Sequence, residues 1–521
     1  MANSVSDMLM QQAGIVTDPV ATAVTLANQG QLDNAQQMLQ DVLKKTPNHP
    51  EAWFRLGQIH ASRNEFKPAV QAFKRVVGLA PQSPEGHVHL GNTYLRNGRL
   101  SQAIQAYRDG LKFHPGYALL HFNLGVAVKQ SGDVAAAIAS YHTAIGLDPN
   151  YAPAHFSLGN ACRESGQLQE AEDCYRRAIA LQPDYVGARV NLAGLLATRE
   201  NYPGALEEAF AALKLQPDQP DALRAISLSL HKLGRYAEGA EIASRALAVS
   251  PGDTMLQYHM GEMLYGLVRT GDVARAHDYA TRWKAAFPDD SVAQHMAAAV
   301  LGGQVPERAG DSYVRETFDR FANDFEKVLG GLGYKVPELL CSAIQGQLGG
   351  RTGLAVLDAG CGTGLCAPFL RPLAKKLVGV DLRGGMLAKA EERKTYDALH
   401  EAELGAFLAA TPDRYDVTVA ADVFCYFGAL TPSFTALAAR TAPQGVFGFT
   451  VEAMPADAPP SDATAADGYR LGPTGRYQHD AGYVKAALEQ AGFSLLSFED
   501  THGREEMGQP VPCFMVIARC A

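Results

Sequence analysis

The chain has 521 residues, of which 47% are hydrophobic and 19% are charged. This balance is typical of globular domains and excludes wholesale disorder. No stretch reaches the ~18 uninterrupted apolar residues of a membrane-spanning helix, and the N-terminus lacks the pattern of a signal peptide. Eight cysteines are too few for a disulfide framework, and the net charge of −9 argues against a nucleic-acid binder. We therefore expect a cytoplasmic protein of several domains, with neither a nucleic-acid nor a membrane partner.

The negative charge is concentrated in the C-terminal part of the chain. Residues 1–305 carry 28 acidic and 26 basic side chains, a net charge of −2, whereas residues 306–521 carry 27 and 20, a net charge of −7. The two values sum to −9. If the C-terminal part binds a substrate, this charge mildly favours a cationic one, such as an amine.

Prolines recur at a constant spacing of 34 residues through the first half of the chain. They are Pro47, Pro81, Pro115, Pro149, Pro183, Pro217 and Pro251. Leu-Gly pairs, alanines and aromatic residues keep the same period, and Gly57, Ala69 and Phe73 belong to one such set. We expect the glycine and alanine where two helices approach closely, and the aromatic residue in the gap toward the next unit. Such a period predicts stacked helix pairs, because one pair cannot bury its own apolar face.

This half resembles the tetratricopeptide repeat (TPR) family, and we predict about eight repeats over residues 16–290, after an N-terminal segment 1–15. The resemblance implies a solenoid whose concave groove binds a protein or peptide. First-helix positions that would face the groove include Phe54, Asn92, Phe122 and Asn160. Simple solvation of a helix face is an equal alternative for these residues. His87, His121 and His155, which share one repeat position, are predicted to pack structurally and not to bind a metal.

From residue 353 the pattern changes to short apolar runs that alternate with helical segments, which predicts a mostly parallel sheet covered by helices. The predicted strands span residues 355–358, 377–381, 397–401, 416–420, 446–451, 494–498 and 513–518. The first is followed by a loop with glycine at every second position, Gly360, Gly362 and Gly364. The second ends in Asp381, where a carboxylate can accept hydrogen bonds from the hydroxyls of a ribose. The residues alone predict a nucleotide-type cofactor, either NAD or S-adenosylmethionine (SAM).

The sequences VLDAGCGTG and VGVD resemble the class I SAM-dependent methyltransferases, over residues 351–521. Three further segments, beginning at Ser312, Ala420 and Gly475, resemble a bacterial group of TPR-containing methyltransferases. The resemblance implies a Rossmann-like domain with seven strands in the order 3-2-1-4-5-7-6. It also implies SAM as the cofactor, bound by Asp358, Gly360, Cys361, Gly362, Gly364, Asp381, Leu382, Met386, Glu403, Leu404 and Asp422. Arg383 stands where the family commonly has a serine.

Methyl transfer needs mainly alignment of the two reactants, so we expect no compact catalytic triad. Candidate catalytic residues are His479, Tyr477 and Glu452, although His479 is also a candidate cap for the helix that follows it. Candidate substrate contacts near the sheet are Tyr313, Phe318 and Tyr426. Residues 453–475 are predicted to form a lid or a surface linker. Cys361 and Cys366 are ordinary loop cysteines because no second ligand pair accompanies them, so no metal is expected.

We expect residues 291–350 to connect the two halves and to cap the active site. The resulting fold class is an all-α TPR solenoid followed by an α/β methyltransferase domain. Three functions are compatible with this sequence: an enzyme that methylates N or O of a recruited protein or peptide, a small-molecule methyltransferase whose repeats serve assembly, and a scaffold that no longer catalyses. The sequence does not specify the acceptor, the oligomeric state or the orientation of the groove.

Overall fold

The computed structural model of the chain describes residues 18–302, 306–319, 326, 329–330, 333–455, 468–506 and 509–521. These residues divide into two compact units, 1–225 and 226–521, which we describe separately. The predicted N-terminal segment 1–15 lies outside the described residues. The predicted domain boundaries at residues 290 and 350 stay predictions.

Within the described part of the chain, helices follow one another as helix–turn–helix pairs from residue 19 to residue 286, and a last helix follows. Their bounds are Pro19–Asn28, Leu32–Lys45, Pro50–Ser62, Phe66–Leu79, Pro84–Arg96, Leu100–Phe113, Ala118–Gln130, Val134–Leu147, Ala152–Glu164, Leu168–Leu181, Val186–Thr198, Tyr202–Leu215, Pro220–Lys232, Tyr236–Val249, Thr254–Arg269, Val273–Ala286 and Ser291–Leu301. The prediction of an all-α TPR region is confirmed. None of the described helices is both long enough and apolar enough to span a membrane.

The side chain at one repeat position donates a hydrogen bond to the turn between successive helix pairs. His87, His121 and His155 each donate from Nε2 to the carbonyl of the proline six residues earlier, at 3.1, 2.8 and 3.0 Å. Trp53 and Arg189 occupy the same repeat position and make the same bond, at 2.8 and 3.0 Å. The residue types differ, but each supplies an N–H group that satisfies a carbonyl in the turn. The histidines therefore have the structural role that we predicted for them.

Each periodic aromatic ring packs against the glycine of its own helix pair, and Phe73 also stacks on His89 of the next pair, on the side that we expected. A Cβ atom on Gly159 would lie 2.7 Å from the Tyr175 ring, and one on Gly125 would lie 2.6 Å from the Tyr141 ring. The Tyr175 hydroxyl also donates to Asn160 Oδ1 at 2.8 Å, within the same pair. Glycine is therefore required wherever this ring crosses the first helix.

The C-terminal part of the second unit contains one sheet with helices on both faces. Its strands are β1 (Leu354–Ala359), β2 (Ala374–Asp381), β3 (Ala398–Glu401), β4 (Tyr415–Ala420), β5 (Thr441–Ala453), β6 (Tyr469–Leu471), β7 (Tyr477–His479), β8 (Phe493–Glu506) and β9 (Gln509–Cys520). The helices of this part are Asp311–Asp319, Val336–Gln347, Ala367–Leu370, Gly384–Glu392, Leu404–Ala410, Thr431–Arg440 and Ala481–Gln490, and a 3-10 turn spans Phe424–Tyr426. Apolar residues alternate between the two faces of β1, so that Leu357 and Val356 belong to different buried cores.

The strand order agrees with the predicted α/β fold. The pairs β3–β2, β2–β1, β1–β4 and β4–β5 are parallel, and β9 lies antiparallel between β5 and β8. When the two short strands β6 and β7 are left out of the numbering, these seven strands have the predicted order 3-2-1-4-5-7-6. The two short strands were not predicted, and with them nine strands are seen in the described residues.

The two additional strands form a hairpin at the carboxyl edge of the sheet. β7 pairs with Glu452 and Ala453 of β5, beyond the point at which β4 ends, and β6 pairs with β7. The predicted lid or linker over residues 453–475 is therefore wrong for residues 469–471, which form β6. Residues 456–467 of that segment lie outside the described residues.

The segment before the sheet contacts the same edge. Arg308 forms an isolated antiparallel bridge with Phe427, and the carbonyl of Glu307 accepts from the backbone N–H groups of Gly428 and Ala429 at 2.8 Å each. Tyr477 on the hairpin donates its hydroxyl to the carbonyl of Pro306 at 2.8 Å. The connector is thus fixed to the sheet by main-chain bonds.

Two glycine-to-alanine substitutions should change stability in opposite directions. In Gly159→Ala the new methyl group meets the buried ring of Tyr175, so we expect the free energy of unfolding to fall by about 1–3 kcal/mol. Gly194 lies inside helix Val186–Thr198, and a Cβ atom added there would have no atom within 4 Å. Gly194→Ala should therefore raise the free energy of unfolding by about 0.5–1 kcal/mol through helix propensity. Urea titration followed by circular dichroism measures both changes, and a stabilised Gly159→Ala protein would contradict the packing described here.

Candidate functional site

A cavity of about 220 Å³ lies at the carboxyl ends of β1, β2 and β4. The edge where parallel strands end is where α/β sheets usually bind ligands. Many of the predicted cofactor residues line it: Asp358, Gly360, Cys361, Gly362, Asp381, Leu382, Glu403, Leu404 and Asp422. Gly364 and Met386 are not among the lining residues. The structure therefore brings together nine of the eleven residues that the resemblance implies.

The glycine loop after β1 bends sharply at every second residue. Gly360, Gly362 and Gly364 have φ values of +68°, +53° and +84°, which non-glycine residues rarely adopt. A side chain on Gly360 would overlap Val423, and one on Gly364 would lie 3.0 Å from the Tyr396 ring. At Gly362 no atom lies within 4 Å of a Cβ position. The loop is consequently packed at its two ends and open to the cavity at its centre.

Asp358, at the end of β1, is a buried carboxylate with one oxygen available. Tyr396 donates its hydroxyl to Oδ2 at 2.7 Å, whereas no described residue bonds to Oδ1. The pKa of Asp358 is raised to about 7, mainly by burial; the Tyr396 bond opposes this shift and the charge of Asp381 adds to it. A buried, unsatisfied carboxylate oxygen at a cavity wall has a strong preference for a cationic hydrogen-bond donor.

Asp381, at the end of β2, holds the glycine loop and its own turn. Its Oδ2 accepts from Gly362 N at 2.9 Å, and its Oδ1 accepts from Arg383 N at 3.1 Å. Burial raises the pKa of Asp381, and the Arg383 guanidinium, 3.6 Å from Oδ1, opposes that shift. Arg383, which replaces the serine common in the family, is itself buried and lines the cavity.

Three of the predicted SAM-binding residues, Met386, Glu403 and Leu404, have different positions. Glu403 and Leu404 line the cavity, and Glu403 Oε2 also caps the helix Leu404–Ala410 by accepting from Ala406 N at 2.7 Å. Met386 lies on helix Gly384–Glu392, and its side chain is completely buried in the core. The prediction of a cofactor contact for Met386 is therefore not supported by its position.

Asp422, which follows β4, lies in a strained backbone conformation at the cavity. Its φ is +52°, an uncommon value for a residue with a side chain, and such strain often marks functional sites. The Thr450 hydroxyl donates to Oδ1 at 2.9 Å, and Arg504 donates from Nη1 to Oδ2 at 2.8 Å. Both oxygens of the half-buried carboxylate are thereby oriented by side chains from β5 and β8.

Glu452 is joined to Asp422 through Arg504. Arg504 donates from Nη2 to Glu452 Oε1, and Arg476 Nη1 lies 3.6 Å from the same oxygen. Arg504 and Arg476 line the cavity, but Glu452 does not. The four side chains form a row of alternating charge. Glu452, predicted as a catalytic residue, does not reach the cavity but bonds to Arg504, which lines it.

His479 and Tyr477, the other catalytic candidates, are wrongly assigned. Neither lines the cavity, and both are completely buried. His479 donates from Nε2 to the Phe427 carbonyl at 2.8 Å, and burial lowers its pKa to about 4. Asp480, and not His479, caps the following helix by accepting from Tyr483 N at 3.0 Å. His479 therefore fastens the hairpin to the loop after β4, and Tyr477 fastens it to the connector.

Two of the predicted substrate contacts near the sheet have described side chains, and of these Tyr426 lines the cavity and Tyr313 does not. Tyr313 is buried elsewhere: its ring stacks on His295 with centroids 3.8 Å apart, and its hydroxyl contacts Met296 Sδ at 3.4 Å. The prediction for Tyr313 is therefore wrong. The side chain of Phe318 lies outside the described residues.

The predicted groove residues are half-buried and already contact neighbours within the repeats. Asn92 Oδ1 accepts from the Tyr107 hydroxyl at 2.6 Å, which parallels the bond of Asn160 to Tyr175. The Phe54 ring lies 4.9 Å from His89, and the Phe122 ring lies 5.1 Å from Tyr151. These contacts order the side chains, and a role in binding stays a prediction.

Four residues at or beside the cavity were not predicted as site residues from the sequence: Arg383, Tyr396, Arg476 and Arg504. Arg383 and Arg476 lie within two residues of motifs that were recognised, so proximity to those motifs was a usable signal. Arg504 carried no such signal. It lies where the register between β8 and β9 shifts after His502, and such a bulge changes the direction of a side chain.

Comparisons with known proteins agree with this division of the chain. Profiles described as tetratricopeptide repeats match residues 20–84, 89–152, 152–185 and 208–254, and a profile described as a methyltransferase domain matches residues 332–497. No curated protein matches the chain.

Several solved structures are similar to part of it. MamA is 25% identical over 32% of this chain and 97% of that one, with a TM-score of 0.30. TTC0263 from Thermus thermophilus is 26% identical over 34% and 97%, with a TM-score of 0.29. YrrB, whose structure is described as a TPR protein with an unusual peptide-binding site, is 21% identical over 36% and 96%, with a TM-score of 0.31. On the profile matches and the fold, the chain is a TPR-containing protein with a methyltransferase domain.

Proposed function

We propose that this protein transfers a methyl group from SAM to a nitrogen or oxygen atom of an acceptor, and that its repeats recruit a protein or peptide as substrate or partner. The observation that carries the choice of cofactor is the unsatisfied Oδ1 of Asp358 at the cavity wall. SAM carries an α-ammonium group, the kind of donor that such an oxygen requires. A dinucleotide offers pyrophosphate instead, which a buried carboxylate would repel.

The remaining polar groups fit the other parts of SAM. Asp381 follows β2, the neighbour of β1, and a carboxylate there is suited to ribose hydroxyls. Glu403 follows β3, the edge strand on the same side, where a carboxylate can accept from the adenine amino group. Strand order therefore favours an adenosine over β2 and β3 and a methionine part over β1, which leaves the β4–β5 side for the acceptor.

When bound, SAM supplies a methyl group on a positively charged sulfur that is a good leaving group. The protein's part is to align an acceptor beside it and to exclude water, and such alignment is worth up to ~7–11 kcal/mol in favourable intramolecular reactions. Asp422 lies at the acceptor side of the cavity and can accept a proton if the acceptor arrives protonated. It replaces His479, Tyr477 and Glu452 as our candidate for this task.

Recruitment of a protein or peptide is supported by the length of the repeat region. TPR solenoids form extended concave surfaces suited to large partners, and a small acceptor would not need one. A small-molecule acceptor is the alternative outcome of the labelling experiment below.

Asp381→Ala should abolish most SAM binding. The substitution removes the acceptor for the ribose hydroxyls and releases Gly362 N, and hydrogen bonds to charged groups contribute about 1.5–3 kcal/mol each. We expect binding to weaken by about 10–100-fold in calorimetry. Asp413→Ala, which removes a surface ion pair with Lys376, is the control and should bind SAM normally. Equal affinity of the Asp381→Ala and intact proteins would contradict the assignment.

SAM binding should release a proton from Asp358 below pH 7. The carboxyl is protonated up to about pH 7 in the free protein, and an ammonium group beside it favours the ionised form. Affinity should therefore rise with pH, by up to about tenfold per unit, until pH approaches 7. In the free protein the raised pKa has the opposite consequence, since folding stability falls as pH rises from the unfolded value of 3.8 toward 7.

Calorimetry in buffers with different ionisation enthalpies measures the released proton directly. At about pH 6 the release should approach one proton, and at about pH 7 it should fall to about half a proton. Asp358→Asn keeps the shape of the side chain but has no proton to release, so its affinity should not change with pH over this range. A pH-independent affinity in the intact protein would contradict the role of Asp358.

Methyl label from SAM should enter a protein or peptide. We would incubate the intact protein with methyl-labelled SAM and a cell extract separated by size, with Asp381→Ala as the inactive control. Label in the macromolecular fraction is the expected result. Label confined to small metabolites would favour a small-molecule methyltransferase, and SAM binding without any transfer would favour a scaffold.

A further inference from the structure

Apart from Asp422, the row of alternating charge at the acceptor side of the cavity has no part in the cofactor contacts proposed so far. It consists of Asp422, Arg504, Glu452 and Arg476, which come from the end of β4, from β8, from β5 and from the start of β7. Arg504 is at its centre, with a side chain that is only 3% exposed and that bonds to both carboxylates. Burial of a guanidinium between two carboxylates costs desolvation, so this arrangement is not explained by stability alone.

We infer that Arg504 is a positioning residue that keeps the Asp422 carboxylate directed into the cavity, where Asp422 favours the positively charged sulfonium form of the cofactor over its neutral, demethylated form. The inference rests on the proposed function, because it takes SAM as the ligand. It assigns to Asp422 a task before the chemistry, which is to discriminate the methyl donor from the spent cofactor, S-adenosylhomocysteine (SAH).

The geometry supports this in two steps. First, the positive φ of Asp422 is an unfavourable conformation that the surrounding structure must maintain. Arg504 on Oδ2 and Thr450 on Oδ1 fix the two carboxylate oxygens, and Thr450 Oγ1 also accepts from Asp422 N at 2.9 Å. Removal of Arg504 would leave Glu452 with Arg476 at 3.6 Å, whereas Asp422 would lose the guanidinium that holds its Oδ2.

Second, Asp422 lies on the side of β1 opposite to Asp381. Asp358 pairs with Gly379 of β2 on one side and with Val419 of β4 on the other, and Asp422 follows Val419 by three residues. A ligand with its ribose at Asp381 and its ammonium at Asp358 would share the cavity with Asp422, which lines it from the β4 side. A half-buried carboxylate there attracts a sulfonium and is indifferent to a thioether.

The direction in which Arg504→Met changes the ratio of SAM affinity to SAH affinity distinguishes a positioning role from a direct effect of the arginine charge. If Arg504 acts through Asp422, Arg504→Met should lower the ratio of SAM affinity to SAH affinity about tenfold, as Asp422→Asn should. If Arg504 acts only through its own positive charge, its removal should raise that ratio. Arg504→Lys keeps the charge but not the two-pronged geometry, and should give an intermediate ratio.

The measurement is calorimetric titration of each full-length variant with SAM and with SAH. SAH binding serves as the internal control and should change less than about twofold, because SAH makes the same adenosine and methionine contacts. Arg440→Met removes a guanidinium that donates to the Leu408 carbonyl at 2.7 Å, away from the cavity, and should leave the ratio unchanged. If Arg504→Met fails to fold, Thr450→Val removes the other support of Asp422 and should lower the ratio about threefold.

The outcomes are distinct. A ratio that is unchanged or raised in Arg504→Met, or unchanged in Asp422→Asn, overturns the inference and leaves the proposed function standing. A parallel loss of SAM and SAH binding in Arg504→Met assigns the arginine to the structure of the cavity and also overturns it. Failure of the intact protein to bind either ligand overturns the proposed function, and this inference with it.

Discussion

The parallel register of β2, β1 and β4 is the constraint on which the site depends. It sets Asp358 beside Gly379 on one side and Val419 on the other, so the acids that end or follow these strands converge at one edge. Gly379 is part of this constraint. A side chain there would meet Cys361 Sγ and the Tyr396 ring at 2.9 Å each, and Tyr396 is the residue that orients the Asp358 carboxylate. A slip of the register would separate the carboxylates and expose apolar side chains of β1 at the same time.

The sequence was sufficient for the parts of the site that are local in the chain. The glycine loop, Asp358 and Asp381 lie within short motifs, so residue type and spacing predicted their convergence. His479 and Tyr477 failed because residue type indicated a base, whereas burial decides whether a side chain reaches the cavity. The cofactor contact predicted for Met386 failed for a similar reason, since neighbouring residues of one helix can face either the core or the cavity.

Arg504 shows the limit of a one-dimensional sequence pattern. It lies 82 residues from Asp422, and its direction depends on a bulge in a pairing that only the folded sheet defines. The net charge of the C-terminal part was equally uninformative about the cavity. That part is acidic as a whole, yet Arg308, Arg383, Arg476 and Arg504 all line the cavity and lie beside carboxylates. Local pairing, and not the overall charge, therefore determines the electrostatic character of the cavity.

The helix that follows the last repeat supports the hairpin turn that precedes a residue of the cavity wall. His295 on helix Ser291–Leu301 donates from Nε2 to the Gly475 carbonyl at 2.9 Å, and a side chain on Gly475 would lie 2.5 Å from Met296 Sδ. Gly475 has a φ of +78° and precedes Arg476, which lines the cavity beside Glu452. The hairpin turn is thus held by a helix outside the sheet, and the side chain next to it belongs to the acceptor side. Sequence periodicity ends near residue 290, but the packing that shapes the cavity begins with the helix that comes after it.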